Sequence, residues 1–123
     1  VHAVAKLLKQ FNLKMDDLQQ MELNEAFAAQ VLGCQAAWAS ADYARTELGL
    51  DKPLGKMDPA RLNPEGGAIA IGHPIGASGA RVTLHLLRAL QRKGGGLGIA
   101  TLCIGGGQGG AMLVKVEGKG GAA

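Results

Sequence analysis

Asn63-Pro64-Glu65-Gly66-Gly67-Ala68-Ile69-Ala70-Ile71-Gly72-His73-Pro74-Ile75-Gly76-Ala77-Ser78-Gly79-Ala80-Arg81 is the stretch around which the rest of the chain is organised. Glycines at 66, 67, 72, 76 and 79 are concentrated where an ordinary core needs none, so this backbone must turn sharply or admit something very close. His73 sits at its middle, between Gly72 and Pro74, with little cover from its own neighbours, which suits an imidazole aimed into a pocket. The competing reading is a glycine-rich surface turn with an incidental histidine. Downstream, Ser78 is placed to cap a helix running through Val82, Leu86 and Leu90 to Arg92 and ending at Gly94-Gly95-Gly96.

A chain of 123 residues can build one core but not two comfortable ones. It has no initiator Met and opens mid-helix, so it reads as a segment of a longer chain. Twenty glycines and only 3% aromatic residues imply close packing of small side chains, and 19% charged residues is too ordinary for disorder. The class expected is α/β. The net charge of +3 comes from scattered Lys and Arg without aromatic partners, which excludes a nucleic-acid surface but suits an anionic phosphorylated ligand. Cys34 and Cys103 lie in apolar contexts without a CxxC motif or a secretory signal, so reduced thiols in a cytoplasmic setting are expected. No apolar run approaches membrane-spanning length.

Outward from the centre, Val1, Val4, Leu7, Leu8 and Phe11 recur at helical spacing. Leu18 to Asn24 reads as a short strand with Met21 and Leu23 on one side. A helix is predicted from about Glu25, with Phe27, Val31, Cys34 and Trp38 on one stripe and Cys34 an inert core thiol. Ser40 to Leu62 loses its period and reads as a long connection. Leu97 to Ile104 is nearly continuous in apolar and small residues, as in a central strand covered on both faces. Ala111 to Glu117 alternates as a half-exposed strand pairing back as a hairpin, and Gly118 to Ala123 reads as a frayed tail.

Gly105, Gly107 and Gly110 fit the G-x-G-x-x-G spacing, but a strand follows where a dinucleotide fold needs a helix. Gly76-Ala77-Ser78-Gly79 is not a nucleophile elbow. His73, His85, Cys34 and Cys103 lack zinc spacing, so no metal is expected, and His85 reads as a satisfied structural residue. Three polar residues at element ends remain: Asn24, His73 and Cys103. In open α/β sheets ligands gather at strand carboxyl ends.

Asn24-Glu25-Ala26-Phe27-Ala28, the 63–81 stretch with Gly72-His73-Pro74, and Cys103-Ile104-Gly105-Gly106-Gly107-Gln108-Gly109 together resemble, in order, the three C-terminal signatures of the thiolases, the acetyl-CoA acetyltransferase and 3-ketoacyl-CoA thiolase family. The likeness runs over essentially the whole chain. Ketoacyl synthases match less well, because they carry a histidine where this chain has Cys103.

The resemblance implies Claisen condensation, or thiolytic cleavage, of 3-ketoacyl-CoA in fatty acid metabolism, with acyl-CoA and CoA as substrates and no separate cofactor. It implies that His73 activates a nucleophilic cysteine, that Cys103 is the acid/base at the α-carbon, and that Asn24 holds a water that forms an oxyanion hole with His73. The N–H of Gly105 would contribute to a second hole, its neighbouring glycines leaving room for the thioester, and Ala26 and Phe27 would line the acyl and pantetheine channel. The family's half-domain is a mixed sheet of order 3-2-1-4-5 with helices on both faces. Leu18 to Asn24 would be its third strand, Leu97 to Ile104 its fourth and Ala111 to Glu117 its fifth, so the first two strands are expected to be missing, leaving a gap beside the fourth. Residues 1–123 would then be a thiolase C-terminal domain incomplete at its N-terminus. The N-terminal half with the nucleophile would be a partner, the complete enzyme a homo-oligomer, and the chain alone inactive. The alternative from a different class is a non-catalytic thiolase-like chain that binds acyl-CoA or serves in assembly.

Overall fold

The structure, a computed structural model, describes residues 1–118. Its elements are α1 (His2–Phe11), a 3-10 turn (Met15–Asp17), β1 (Gln20–Leu23), α2 (Ala28–Ala39), α3 (Ala41–Thr46), α4 (Ala68–Ile71), α5 (Ile75–Arg92), β2 (Gly96–Gly105) and β3 (Gln108–Val116). The stripe predicted for α1 is real: Val4 and Leu8 are buried, and Asn12 closes the helix in the left-handed conformation with its N–H on the carbonyls of Leu8 and Lys9. At the other end of the chain, β2 turns into β3 through Gly105, Gly106 and Gly107, all at positive φ, where a side chain would be strained.

The sheet runs β1-β2-β3, with β1 parallel and β3 antiparallel to a central β2. Here the structure corrects the sequence reading. No lane is left open between Leu18–Asn24 and Leu97–Ile104: Gln20 pairs with Gly98, Met21 with Ile99, Glu22 with Ala100 and Leu23 with Thr101. The ladder extends beyond the strand at both ends, since Gln19 N–H donates to the Leu97 carbonyl at 2.8 Å and Asn24 N–H to that of Thr101 at 2.9 Å. The backbone groups expected to be orphaned therefore satisfy one another. On the outer edge of β1 the chain at 61–63 adds a short parallel bridge, with Met21 N–H on the Arg61 carbonyl and Asn63 N–H on the Met21 carbonyl.

Helices lie on both faces, as expected. On one, Val4, Leu8, Leu18, Met21, Leu23, Trp38, Met57 and Ile99 form the larger core under α1 and α2. On the other, Val82, Leu86 and Leu90 of α5 pack on Ala100, with Val114 and Val116 alongside. The glycine at 98 permits this contact, because a Cβ there would stand 2.7 Å from Leu86 Cδ1 and 2.9 Å from the Gln20 carbonyl. The α5 side of β1 is polar: by strand alternation Gln20, Glu22 and Asn24 face it, and all three are buried.

Three boundaries move. Ser78 caps nothing: α5 begins at Ile75 behind Pro74, whose fixed φ suits a helix entrance, and Ser78 lies buried in its first turn. The second helix starts at Ala28, leaving Phe27 outside the buried stripe and 74% exposed, while Trp38 is its one fully buried residue. The connection from Ser40 to Leu62 contains α3, capped by Ser40 Oγ accepting from Tyr43 N–H at 3.1 Å. Of the expected tail, residues 119–123 lie outside the described residues.

Candidate active site

Because β1 and β2 are parallel neighbours, their carboxyl ends emerge side by side. Leu23 is level with Thr101, so Asn24 stands at the end of β1 while Cys103 stands two residues past Thr101 on β2. The amino end of α5 arrives at the same edge and brings His73 with it. The Asn24 amide nitrogen lies 3.5 Å from each of the two imidazole nitrogens, spanning the ring edge without addressing either lone pair squarely. Asn24 is 1% exposed, and its Oδ1 is buried without a protein partner among the described residues. A buried carbonyl oxygen of that kind is a ready acceptor for a water or a ligand group.

The loop that carries His73 is held at both ends. At its start Asn63, one of two non-glycine residues at positive φ (44°) among the described residues, turns its amide onto the β1 backbone: Oδ1 accepts from Leu23 N–H and Nδ2 donates to the Leu23 carbonyl, each at 2.8 Å. Glu25 then ties the two together, accepting from Asn63 Nδ2 and from Ile69 N–H, each at 3.1 Å. At its end Arg81 of α5 donates to the Gly72 carbonyl at 2.6 Å, and Ser78 Oγ meets His73 Nδ1 at 2.6 Å. His73 is thus fixed by neighbours on both sides of the loop, although its own chain offers it little cover.

Ala26, Phe27, His73, Cys103 and Gly105 line one open cleft of ≈ 700 Å³, together with Ile75, Leu102, Ile104 and Gln108. These five residues share the cleft, whereas Asn24 is buried outside its lining and meets it only through His73. Cys103 is exposed on the cleft wall, at the point where the β2–β3 pairing shifts register before the glycine turn. The rim is apolar and bare: Phe27, Ile75 and Ile104 are 74%, 84% and 64% exposed. Cys34 has intermediate exposure and packs against the larger core. Among the described residues no group of three or more His, Cys, Asp or Glu could hold a metal ion, and no helix is long and apolar enough to cross a membrane.

Behind the cleft runs a charged chain between β1, α5 and the loop. Glu22 accepts from Gln20 Nε2 at 2.6 Å and faces His85 Nδ1 at 3.2 Å; His85 Nε2 faces Glu65 at 2.9 Å, and Arg92 binds Glu65 at 2.6 Å. His85 is thus the satisfied structural residue the sequence suggested. Burial raises the Glu22 pKa above the ordinary value, against the hydrogen bonds from Gln20 and His85. Burial alone would lower that of His85, but Glu65 and Glu22 together outweigh it and leave it raised. Hydrogen bonds from His85 and then Arg92 lower that of Glu65.

Sequence reasoning missed the partners. Ser78 was read as a cap, although a hydroxyl five residues beyond a histidine at a proline-started helix can fold back onto it. The apolar alternates Met21 and Leu23 mark only one face of β1; the polar alternates Gln20 and Glu22, buried on the other, carry as much information in a strand with two covered faces.

The matching family is described as "Thiolase, C-terminal domain", and it matches residues 1–116. A 3-ketoacyl-CoA thiolase of Shewanella loihica is 42% identical over 116 residues, 94% of this chain and 27% of the relative; one from Aliivibrio fischeri strain MJ11 is 44% identical, covering 94% and 26%. The chain thus spans about a quarter of the length of these relatives. Among solved structures, the peroxisomal 3-ketoacyl-CoA thiolase of Saccharomyces cerevisiae, a five-layered α-β-α-β-α structure built from two core domains of identical topology, superposes with a TM-score of 0.71 at 38% identity, over 94% of this chain and 28% of that one. With the fold, the three motifs and the family match in agreement over nearly every residue, the chain belongs to the thiolase family and corresponds to its C-terminal domain.

Proposed function

We propose that this chain supplies the acid/base and oxyanion-binding part of a 3-ketoacyl-CoA thiolase site, completed by a nucleophilic cysteine outside residues 1–123. The observation that carries the reading is the convergence of Asn24, His73 and Cys103, from three distant motifs, at one carboxyl edge of the sheet. In the cleavage direction His73 accepts the proton of the nucleophilic thiol, and the thiolate attacks the 3-keto carbon. The bond between the α- and β-carbons breaks, its electron pair passing to the acetyl-CoA enolate, and the Cys103 thiol delivers a proton to the α-carbon. CoA thiol, giving its proton to the Cys103 thiolate, then attacks the acyl-cysteine and releases the shortened acyl-CoA, and the freed cysteine thiolate takes its proton back from the His73 imidazolium. In synthesis the order reverses, with Cys103 as thiolate taking the α-proton.

The buried Asn24 Oδ1 and the nearby imidazole suit a water-assisted hole for the enolate oxygen. Gly105, on the wall of the cleft that holds His73 and Cys103, would offer its N–H to the tetrahedral intermediate; removing a donor of this sort costs roughly 3 to 4 kcal/mol of transition-state stabilisation. Ala26 and Phe27 provide an apolar wall for acyl and pantetheine groups. No cofactor is required, because the CoA thioester is itself the substrate. The bare rim of Phe27, Ile75 and Ile104 suits contact with the rest of a two-domain enzyme.

In the full-length enzyme, His73→Ala slows acylation of the nucleophile, whereas Cys103→Ser leaves acylation intact and abolishes α-proton exchange, since an alkoxide is too basic to form readily. Mass-spectrometric trapping of the acyl-enzyme, alongside deuterium exchange into acetyl-CoA, separates the two. Equal acylation defects would refute this division of labour. No effect of either substitution would favour the non-catalytic alternative.

A further inference from the structure

We infer that Ser78 is a positioning residue that sets the tautomer of His73, holding the proton on Nδ1 and leaving Nε2 as the basic nitrogen. The inference rests on the reading of His73 as a base given above. Ser78 is completely buried in the first full turn of α5, and its Oγ has two neighbours: His73 Nδ1 at 2.6 Å and the Pro74 carbonyl at 3.1 Å. A hydroxyl has one proton to give. The carbonyl can only accept, and a serine four residues along a helix commonly donates to such a carbonyl. With the hydroxyl proton committed to Pro74, the oxygen presents a lone pair to Nδ1, which must therefore carry the ring proton. The reverse orientation would set the Oγ lone pairs against the carbonyl oxygen at 3.1 Å in a place closed to solvent, a contact between acceptors, while that carbonyl keeps the N–H groups of Ala77 and Ser78 at 2.8 and 2.9 Å.

The other neighbour of the ring agrees. Asn24 presents its amide nitrogen, a donor only, to the ring edge, and with Nδ1 engaged by Ser78 the nitrogen free to face that donor is Nε2. Ser78 on α5 thus selects the neutral form, and Asn24, equidistant from both ring nitrogens, is compatible with it. Which nitrogen of a histidine is free is decided by the hydrogen bond the other makes. A base needs that free lone pair in every ground-state molecule. In the opposite tautomer the nitrogen facing the nucleophile is already protonated and cannot take its proton. Once the thiol proton has been accepted, the imidazolium still donates from Nδ1 to Ser78, so the same contact serves both protonation states.

The test uses the full-length enzyme with 15N-labelled histidine, the His73 signals being assigned by their loss in His73→Ala. The wild type should show the Nδ1–H pattern. Ser78→Ala should give a mixture of tautomers and slow single-turnover acylation roughly 10- to 100-fold, the usual range for removing the outer partner of a working histidine, while Ser78→Thr, which keeps the hydroxyl, should restore both. An Nε2–H pattern in the wild type would overturn the inference whatever the variants do. So would a Ser78→Ala enzyme with unchanged tautomer and rate. If His73→Ala itself acylates normally, it is the reading of His73 as a base that fails, and the wild-type spectrum still decides the role of Ser78.

Discussion

Replacing His85 by Ala tests whether the buried carboxylate behind the site depends on its histidine. Glu22 is 4% exposed by its side chain and has two polar partners, Gln20 at 2.6 Å and His85 at 3.2 Å. Without His85 it keeps only the neutral amide. Breaking a fully buried pair by removing one partner costs about 3–5 kcal/mol. Here the loss has a ceiling, because Glu22 can instead take up a proton. From the unperturbed value of 4.5, doing so at pH 7 costs about 1.36 kcal/mol for each of 2.5 units, or about 3.4 kcal/mol. The wild type already bears part of this penalty, and His85 is 29% exposed and so partly screened, which places the deficit at about 2–3 kcal/mol at pH 7.

The sign with pH is specific. Glu22 and His85 both titrate higher folded than unfolded, so folding takes up protons and stability declines as pH rises. The His85 contribution is complete below 6.5 and is lost as pH climbs through its raised value. The Glu22 penalty begins above 4.5, and in His85→Ala it grows by up to about 1.4 kcal/mol per unit. Urea unfolding should therefore show the gap between wild type and His85→Ala widening from pH 5 to about 6.5, then narrowing as wild-type His85 itself deprotonates. Glu22→Gln in the same background should recover most of the loss, since no charge is then buried. A deficit independent of pH, or a double variant no better than the single, would refute the electrostatic account and leave only lost packing.

Two further outcomes follow from the sheet. Gly98→Ala would set a Cβ 2.9 Å from the Gln20 carbonyl and 2.7 Å from Leu86, so α5 must lift from β2; a loss of about 1–3 kcal/mol in urea unfolding is expected, and a neutral variant would contradict the packing of α5 on β2. Hydrogen exchange should find the amides of Gln19 and Asn24, which donate to Leu97 and Thr101, as protected as those of β2 itself, and rapid exchange at both would show that β1 and β2 are not neighbours.

What could be read from the sequence were features carried by single segments. Leu97 to Ile104 reads as a central strand from its continuous apolar run, and its middle, Gly98 to Thr101, is buried although Cys103 and Ile104 stand exposed at its carboxyl end; the 105–107 turn has to be glycine because all three residues take positive φ. Even the candidate site could be read as three motifs at element ends. Strand pairing was not: Gln20 beside Gly98 is a fact about two segments 78 residues apart, and an order taken from the family resemblance left a lane there that the structure closes. Side-chain partnerships were equally hidden. Ser78 had a local reading as a cap, and only the position of Pro74 at the helix entrance turns it inward to His73.

The two proposed proton-handling groups stand on different supports, and this gives Asn24 a structural place beyond its proposed oxyanion role. Cys103 is fixed by β2 and by its pairing with Gly109 of β3, while His73 is fixed by α5 and by the loop that Asn63 and Glu25 clamp to β1. Each could shift with its own support and carry its group out of line. Asn24 joins them: its backbone N–H is bonded to the Thr101 carbonyl, two residues before Cys103, and its side-chain amide lies against the His73 ring. A displacement of β1 relative to β2 would therefore break the Asn24–Thr101 bond and shift the imidazole against the thiol, as well as disturb the buried Glu22 two residues away. The direct pairing of β1 with β2 thus ties the supports of the two groups to one ladder, the kind of rigidity that the proposed proton transfers within one cleft would demand.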